Sequence, residues 1–182
     1  MIKNHGPWTI TETILKYKNK WIQVTEDRVI RPDGQPGIFG IVTMNPGVSV
    51  LPVDEQGYVY LTKEFHYALG KESIEVVSGA IDSGEKDIDA AQRELQEELG
   101  ILADDWVNLG TVHPFTTIIN SPAELFLARK LKFTHQNLEG TEVLSLYKVK
   151  LEEALNMVLE SKITHGPSCV LILKAKIYLK KK

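Results

Sequence analysis

One cysteine in 182 residues rules out a disulfide within the chain. It lies in the apolar run "CVLIL", and the surroundings of Cys169 carry none of the charges that activate a thiol, so it reads as a buried structural residue. No run of about 18 apolar residues is present, and the start "MIKNHGPWTITE" has no apolar signal core, so the expectation is a cytoplasmic chain without a membrane span. Basic stripes are missing too, and the net charge is −3, which argues against a dedicated nucleic-acid partner. The one basic stretch, "KAKIYLKKK", suits a helix end, where lysines meet the negative pole of the dipole. There is no internal repeat and no low-complexity segment. With 43% hydrophobic and 25% charged residues, the chain is composed like an ordinary folded domain.

What is present is patterned. "TETILKYKNKWIQVTEDRVIRPDG" predicts two strands bending at Asn19 and Lys20, and "RPDGQPG" is turn chemistry before the strand "IFGIVTM". "GVSVLPVDEQGYVYLTKEF" predicts a hairpin around "DEQG", and Glu72–Ile81 a single strand running into a glycine turn. Ile88, Ala91, Leu95 and Leu99 recur at helical spacing, with Gly100 as the C-terminal cap. "WVNLGTVHPF", "AELFLARKLKF" and "TEVLSLYKV" read as strands, the first two separated by a polar loop with Pro114 and Pro122. "KLEEALNMVLES" is a helix with Leu151, Leu155, Val158 and Leu159 on one face, and "GPSCVLILKAKIYLKK" is a helix opening at Pro167. This order predicts an α+β sandwich with a mixed sheet between helices, with residues 1–45 as a small N-terminal β subdomain and 46–182 as the main domain.

The central helix raises the chemical question. Glu94, Glu97 and Glu98 crowd one wall, placed opposite the apolar stripe, although like charges at these spacings repel by roughly 0.2–0.5 kcal/mol per pair. A solvated acidic face accounts for neither the crowding nor the flanking glycines. A divalent cation does, since hard ions such as Mg²⁺ take carboxylate oxygens and carry phosphate substrates. Arg93, four residues before Glu97, is placed to hold that carboxylate.

The spacing runs Gly79, five residues, Glu85, seven residues, Arg93-Glu94-Leu95, one residue, Glu97-Glu98, one residue, Gly100-Ile101. The seven one-residue positions, leaving out apolar Leu95 and Ile101, give a chance match on the order of 10⁻⁸ per starting point. The segment resembles the signature of the Nudix hydrolases. The resemblance implies a Nudix-type α/β/α sandwich, hydrolysis of a nucleoside diphosphate linked to another moiety, and Mg²⁺ as cofactor with Mn²⁺ as a substitute. Carried onto this chain, it makes Glu94 and Glu98 the main metal ligands, with Glu97 binding directly or through water and the Ser78 carbonyl adding an oxygen. Glu85 and Arg93 brace the glutamates, Gly79 lets the backbone approach the metal, and Gly100 ends the helix. Relatives carry a catalytic glutamate on a later loop. Here "HQNLEGTEVL" offers Glu139 and Glu142 around a glycine that fits a loop closing on substrate, and which of the two is the base stays open.

Beyond the motif the chain is similar to the ADP-ribose pyrophosphatase and nucleoside diphosphate sugar hydrolase branch. The similarity runs through "RPDG", "KEFHYALGKESIEVVSGAIDSGE", "HPFTTIINSPAELFLARKL" and "EGTEVLSLYKVKLEEALNMVLESKITHGPS". It implies a homodimer with exchanged N-terminal strands, and substrate contacts at His66 and Glu124. His66 stands where relatives often carry arginine, Val77-Ser78 replaces a common Pro-Ala, and "FTTIINSPAE" replaces the usual proline-glycine loop. Glu124 reads equally well as a strand-edge residue. Trp8, with Tyr17 and Trp21, is a candidate to stack on a base, against packing within the β subdomain. His113, His135 and His165 form no metal-ligand pattern and read as structural or surface residues. The alternatives are a Nudix hydrolase of a dinucleoside polyphosphate, coenzyme or damaged nucleotide, and a nucleotide-binding module without turnover.

Overall fold

A computed structural model describes residues 2–136 and 144–181. In chain order, eight strands precede the first helix: β1 (Lys3–His5), β2 (Trp8–Lys18), β3 (Ile22–Ile30), β4 (Pro36–Met44), β5 (Gly47–Pro52), β6 (Tyr58–His66), β7 (Lys71–Glu75) and β8 (Val77–Ala80). Then come α1 (Asp87–Leu99), β9 (Ile101–Val112), β10 (Ile119–Asn120), β11 (Ala123–Phe133), β12 (Leu144–Lys150), α2 (Leu151–Leu159) and α3 (Gly166–Lys180). They form two compact units, Met1–Asn45 with Phe115–Ser121, and Pro46–Pro114 with Pro122–Lys182.

The first unit is a sheet in the order β1-β2-β3-β4-β10. Its turns follow from side chains. The Asn19 carboxamide oxygen accepts the N–H groups of Trp21 and Ile22, both at 2.8 Å, and so makes the bend between β2 and β3. Gly34, at φ 80°, closes the next turn by donating to the Arg31 carbonyl at 2.9 Å. The loop expected around Pro114 and Pro122 contributes β10, which pairs parallel to β4 through Ile119–Val42 and Asn120–Thr43. Two residues carry no alternation that sequence reading detects.

The second unit holds a four-stranded sheet, β8-β5-β11-β9, and a three-stranded sheet, β12-β6-β7. Strand alternation sends side chains two ways. Val48, Val50, Tyr60, Val77, Phe126 and Ala128 pack with Ala90, Ala91, Leu95 and Leu99 of α1. Leu51, Val59, Leu61, Leu125 and Leu127 pack with α2 and α3 through Met157, Leu171 and Ile172. One helix thus covers one face and two helices the other, the layered arrangement the element order predicts.

Three local expectations need correction. The segments of β5 and β6 form no hairpin: they lie in different sheets and meet only at a Val53–Val59 bridge. Glu72–Ile81 is two strands, β7 on β6 and β8 on β5. The break falls at Val76, whose N–H donates to the Ser168 hydroxyl oxygen at 3.0 Å instead of joining a ladder. In α2 the buried residues are Leu151, Ala154 and Met157, while Leu159 is 70% exposed, because the packed stripe is turned from the one expected. Cys169, expected to be buried, is half-buried, and its Sγ lies 3.3 Å from the Ile163 carbonyl oxygen. Burial pushes its pKa up, away from reactivity.

Candidate functional site

The motif folds as strand, loop and helix. β8 leads through residues 81–86 into α1, whose first turn carries Asp87 and Asp89 at the positive end of the dipole. Buried Ala90, Ala91, Leu95 and Leu99 fix one side of α1 against the sheet. The glutamates border this buried side and do not lie opposite it: Glu98 is only 8% exposed. At 100° per residue Glu98 follows Glu94 by 40° and leans toward the Leu95 edge, so the helical geometry itself corrects the expected placement.

Arg93 ties the motif together. Its Nε and Nη2 donate to the two oxygens of Glu85 at 3.0 Å each, and Nη2 also donates to the Ala80 carbonyl at 3.0 Å. Nη1 donates to Glu94 at 2.7 Å and to Glu97 at 3.2 Å. One guanidinium therefore clamps the loop to the helix and offsets part of the carboxylate repulsion. Hydrogen bonding to Glu85 is the main cause of a raised Arg93 pKa. Glu85 in turn is held below its ordinary value by Arg93 and by the Asp82 N–H.

The glycines have steric reasons. A Cβ on Gly79 would collide with the Glu94 carboxylate, so the backbone of β8 lies directly against that side chain. Gly100 sits in the left-handed region at φ 62°, and a Cβ there would come within 2.6 Å of the Thr134 carbonyl oxygen. The adjacent Gln136 donates from Nε2 to the Glu98 carbonyl at 2.7 Å. Sequence reading misses Gln136, since nothing in its neighbourhood marks a contact 38 residues away. Ser78 pairs with Ser49 across β5, their hydroxyl oxygens 3.0 Å apart, which fixes the peptide before Gly79.

Glu94, Glu97, Glu98 and the Ser78 carbonyl are all hard oxygen donors, and their chemistry fits Mg²⁺ or Mn²⁺. The guanidinium between Glu94 and Glu97 shows that this wall accommodates positive charge. Among the described residues, no three His, Cys, Asp or Glu side chains converge into a ready cation cage.

The remaining candidates are dispersed. His66 ends β6 with Nε2 at 3.1 Å from Glu75 Oε1. Glu124, in β11, accepts from the Thr111 hydroxyl at 2.5 Å and from Asn108 Nδ2 at 3.4 Å. Trp8 belongs to the first unit, edge-on to Phe39 at 5.9 Å, and lines a cavity of about 320 Å³ with Val29, Ile41 and Asp27. Tyr17 and Trp21 are exposed, Trp21 by 67%, so packing within the sheet does not account for them. His113 and His135 lie at the surface. His165 instead lies 3.1 Å from Glu75 Oε2, a contact between distant segments that no spacing reveals. Glu139 and Glu142 fall outside the described residues.

The chain matches the NUDIX domain family over residues 43–164 and a nucleoside diphosphate sugar hydrolase N-terminal domain over residues 8–42. It is 27% identical to the ADP-ribose pyrophosphatase of Bacillus subtilis (strain 168) over 144 residues, 78% of each chain. It is 24% identical to the methanol dehydrogenase activator of Bacillus methanolicus over 161 residues, 86% of this chain and 85% of that one. Its fold resembles the crystal structure of an ADP compounds hydrolase at TM-score 0.84, over 98% of this chain and 97% of that one, with 19% identity. The arginine clamp, the glycine pressed against Glu94 and the length of the match all point one way: the chain belongs to the NUDIX family.

Proposed function

We propose that this protein hydrolyses the diphosphate bond of ADP-ribose or a nucleoside diphosphate sugar, releasing a nucleoside monophosphate and a sugar phosphate. The wall of carboxylates braced by Arg93 carries this reading, within a chain similar to an ADP-ribose pyrophosphatase. Glu94 and Glu98 are the principal ligands for Mg²⁺, which Mn²⁺ replaces, with Glu97 and the Ser78 carbonyl completing the protein's oxygens. When bound, such an ion offsets diphosphate charge and activates water. Arg93 and Glu85 keep the glutamates in place, so no reorganisation is needed as charge moves in the transition state. Glu98, at the dry edge of the helix, acts where a fixed charge has most effect.

Glu139 or Glu142 takes a proton from the attacking water. His66 meets a phosphate, Glu124 contacts the substrate, and Trp8 is the candidate to stack on the base. Attack in line at one phosphorus leaves little covalent work to the protein beyond holding these groups. Residues 1–45 form the dimer-making subdomain and 46–182 the catalytic domain, and the working unit is a homodimer in the cytoplasm. Among the described residues no helix is long and apolar enough to cross a membrane.

Incubating the protein with ADP-ribose, ADP-sugars and UDP-sugars, with Mg²⁺ or with EDTA, tests the reading. Metal-dependent release of a nucleoside monophosphate from one class is expected. Binding of these compounds without product from any of them would replace the enzyme by a nucleotide-binding module.

A further inference from the structure

A bulge in β9 assembles a polar group that the reaction as described leaves unexplained. β9 pairs with β11 through Thr111–Glu124 and Asn108–Phe126, so Leu109 and Gly110 stand together opposite Leu125. Gly110 allows the extra residue, at φ 91° in the left-handed region. In a regular strand, residues three apart point to opposite faces. The bulge cancels this: Asn108 and Thr111 share the face of their β11 partners, while Val107 and Val112 pack on the other side with the core under α2 and α3. From that side Lys174 of α3 donates from Nζ to the Leu109 carbonyl at 2.8 Å and pins the bulge.

Both side chains close on one carboxylate. Thr111 Oγ donates to Glu124 Oε1 at 2.5 Å, and Asn108 Nδ2 donates to Oε2 at 3.4 Å. The Gly110 N–H orients the amide by donating to Asn108 Oδ1 at 2.6 Å, which leaves the nitrogen end for Glu124. Each carboxylate oxygen has two lone pairs, so after these bonds each still accepts one more hydrogen bond. Asn108 and Thr111 are exposed and Glu124 is half-buried, so the free acceptors are within reach of a ligand.

Register fixes where these acceptors stand. Gly79 of β8, Val48 of β5, Glu124 of β11 and Thr111 of β9 form one row across the sheet. Val48 packs with α1 and the Glu94 carboxylate lies against Gly79, so the row faces the carboxylate wall. Two strand spacings, about 10 Å, separate the Glu124 and Gly79 backbones. A sugar phosphate held by its phosphate at the wall spans that gap. Glu124 repels a second phosphate, and the sugar hydroxyls are the neutral donors left at that end of such a substrate.

We propose that Thr111 and Asn108, brought to one face by the Gly110 bulge, are positioning residues for Glu124, and that the three form a subsite for the vicinal diol of the substrate's sugar. Each free acceptor of Glu124 takes one hydroxyl of the pair. The inference rests on the diphosphatase reading for the molecule that carries the sugar, but not for the bulge and its bonds.

Ribose 5-phosphate and 2-deoxyribose 5-phosphate differ by one hydroxyl of that diol. Each is titrated, with Mg²⁺, into the wild type, Thr111→Val, Thr111→Ser and Asn108→Ala, and followed by NMR. The wild type should bind the ribose compound roughly three- to tenfold more tightly, the equivalent of one hydrogen bond. Thr111→Val keeps the shape but not the donor, and should bring the two affinities within about twofold of each other. Thr111→Ser should restore the preference, and Asn108→Ala, which removes the longer bond, should reduce it partway. A threonine that only supported the strand would weaken both ligands alike. In turnover, Thr111→Val should raise KM for ADP-ribose roughly three- to tenfold with kcat nearly unchanged, and should add nothing in a Glu124→Ala background. No preference in the wild type, or a preference that Thr111→Val leaves intact, would overturn the proposal. If the wild type hydrolyses no nucleotide sugar, the functional reading fails while the sugar-phosphate comparison still decides the subsite.

Discussion

Two groups of carboxylates in the second unit are held in opposite ways. At α1, one permanent cation, Arg93, holds Glu85 of the preceding loop together with Glu94 and Glu97 of the helix. At the end of β7, two titratable imidazoles hold one buried glutamate. The cation of the first arrangement keeps its charge over the whole pH range of a folded protein, because guanidinium does not lose its proton. In the second, burial lowers the pKa of one partner, His165.

The largest effect should come from the α1 wall itself. Glu98→Gln keeps the shape and removes a charge at its least exposed position, and it should lose transition-state stabilisation of about 3–4 kcal/mol, a factor of 10² to 10³ in kcat. Its melting temperature should stay near wild type. A variant with near-normal turnover would move the critical charge elsewhere on the helix.

Gly79→Ala should come next. The added methyl displaces the Glu94 carboxylate, and overpacking of this kind costs about 1–3 kcal/mol of stability, with loss of activity beyond what the stability change explains. Urea unfolding and metal-dependent rates on the same sample separate the two losses. Arg93→Lys keeps the charge but breaks the paired hydrogen bonds to Glu85, and should cost about 1–2 kcal/mol by urea unfolding.

The smallest effect separates the clusters by pH. Burial is the main cause holding His165 below the usual histidine pKa, the neighbouring His66 adds to this, and Glu75 opposes it. The unfolded chain therefore takes up this proton first, so stability falls as pH drops below about 6.5 toward the lowered value. Glu85 is also depressed, so its contribution is present above the ordinary glutamate pKa and is lost only as pH falls below about 4.5. Denaturant unfolding across pH 3–8 should show two separate losses, and His165→Asn should remove the upper one while leaving the lower intact. A single loss unaffected by that substitution would erase the contrast between the clusters.

These regions also differ in how readily sequence discloses them. Gly79, Glu85, Arg93, Glu94 and Gly100 act within one strand end, one loop and one helix, so spacing along the chain is spacing in the structure. Steric reasons for both glycines follow directly from it. The Glu75 cluster joins β7 to α3, and the Val76–Ser168 bond spans 92 residues, a distance at which no local pattern reports contact. The fold shows the same division. α1 declares itself by period and α3 by an apolar run opening at Pro167, and both match expectation. Strand partners do not: β5 and β6 both alternate and flank a good turn, yet they enter different sheets. Membership of Phe115–Ser121 in the first unit was equally hidden, since it rests on pairing between Ile119 and Val42.

Direct titration of Mn²⁺ by electron paramagnetic resonance, into the wild type and into Glu98→Gln, each with ADP-ribose, addresses the carboxylate wall itself. The wild type should bind the ion saturably, Mg²⁺ should displace it, and the variant should bind at least tenfold more weakly, about 1.4 kcal/mol. Equal affinity in the two proteins would show that the ion sits elsewhere and that the α1 glutamates serve some other end.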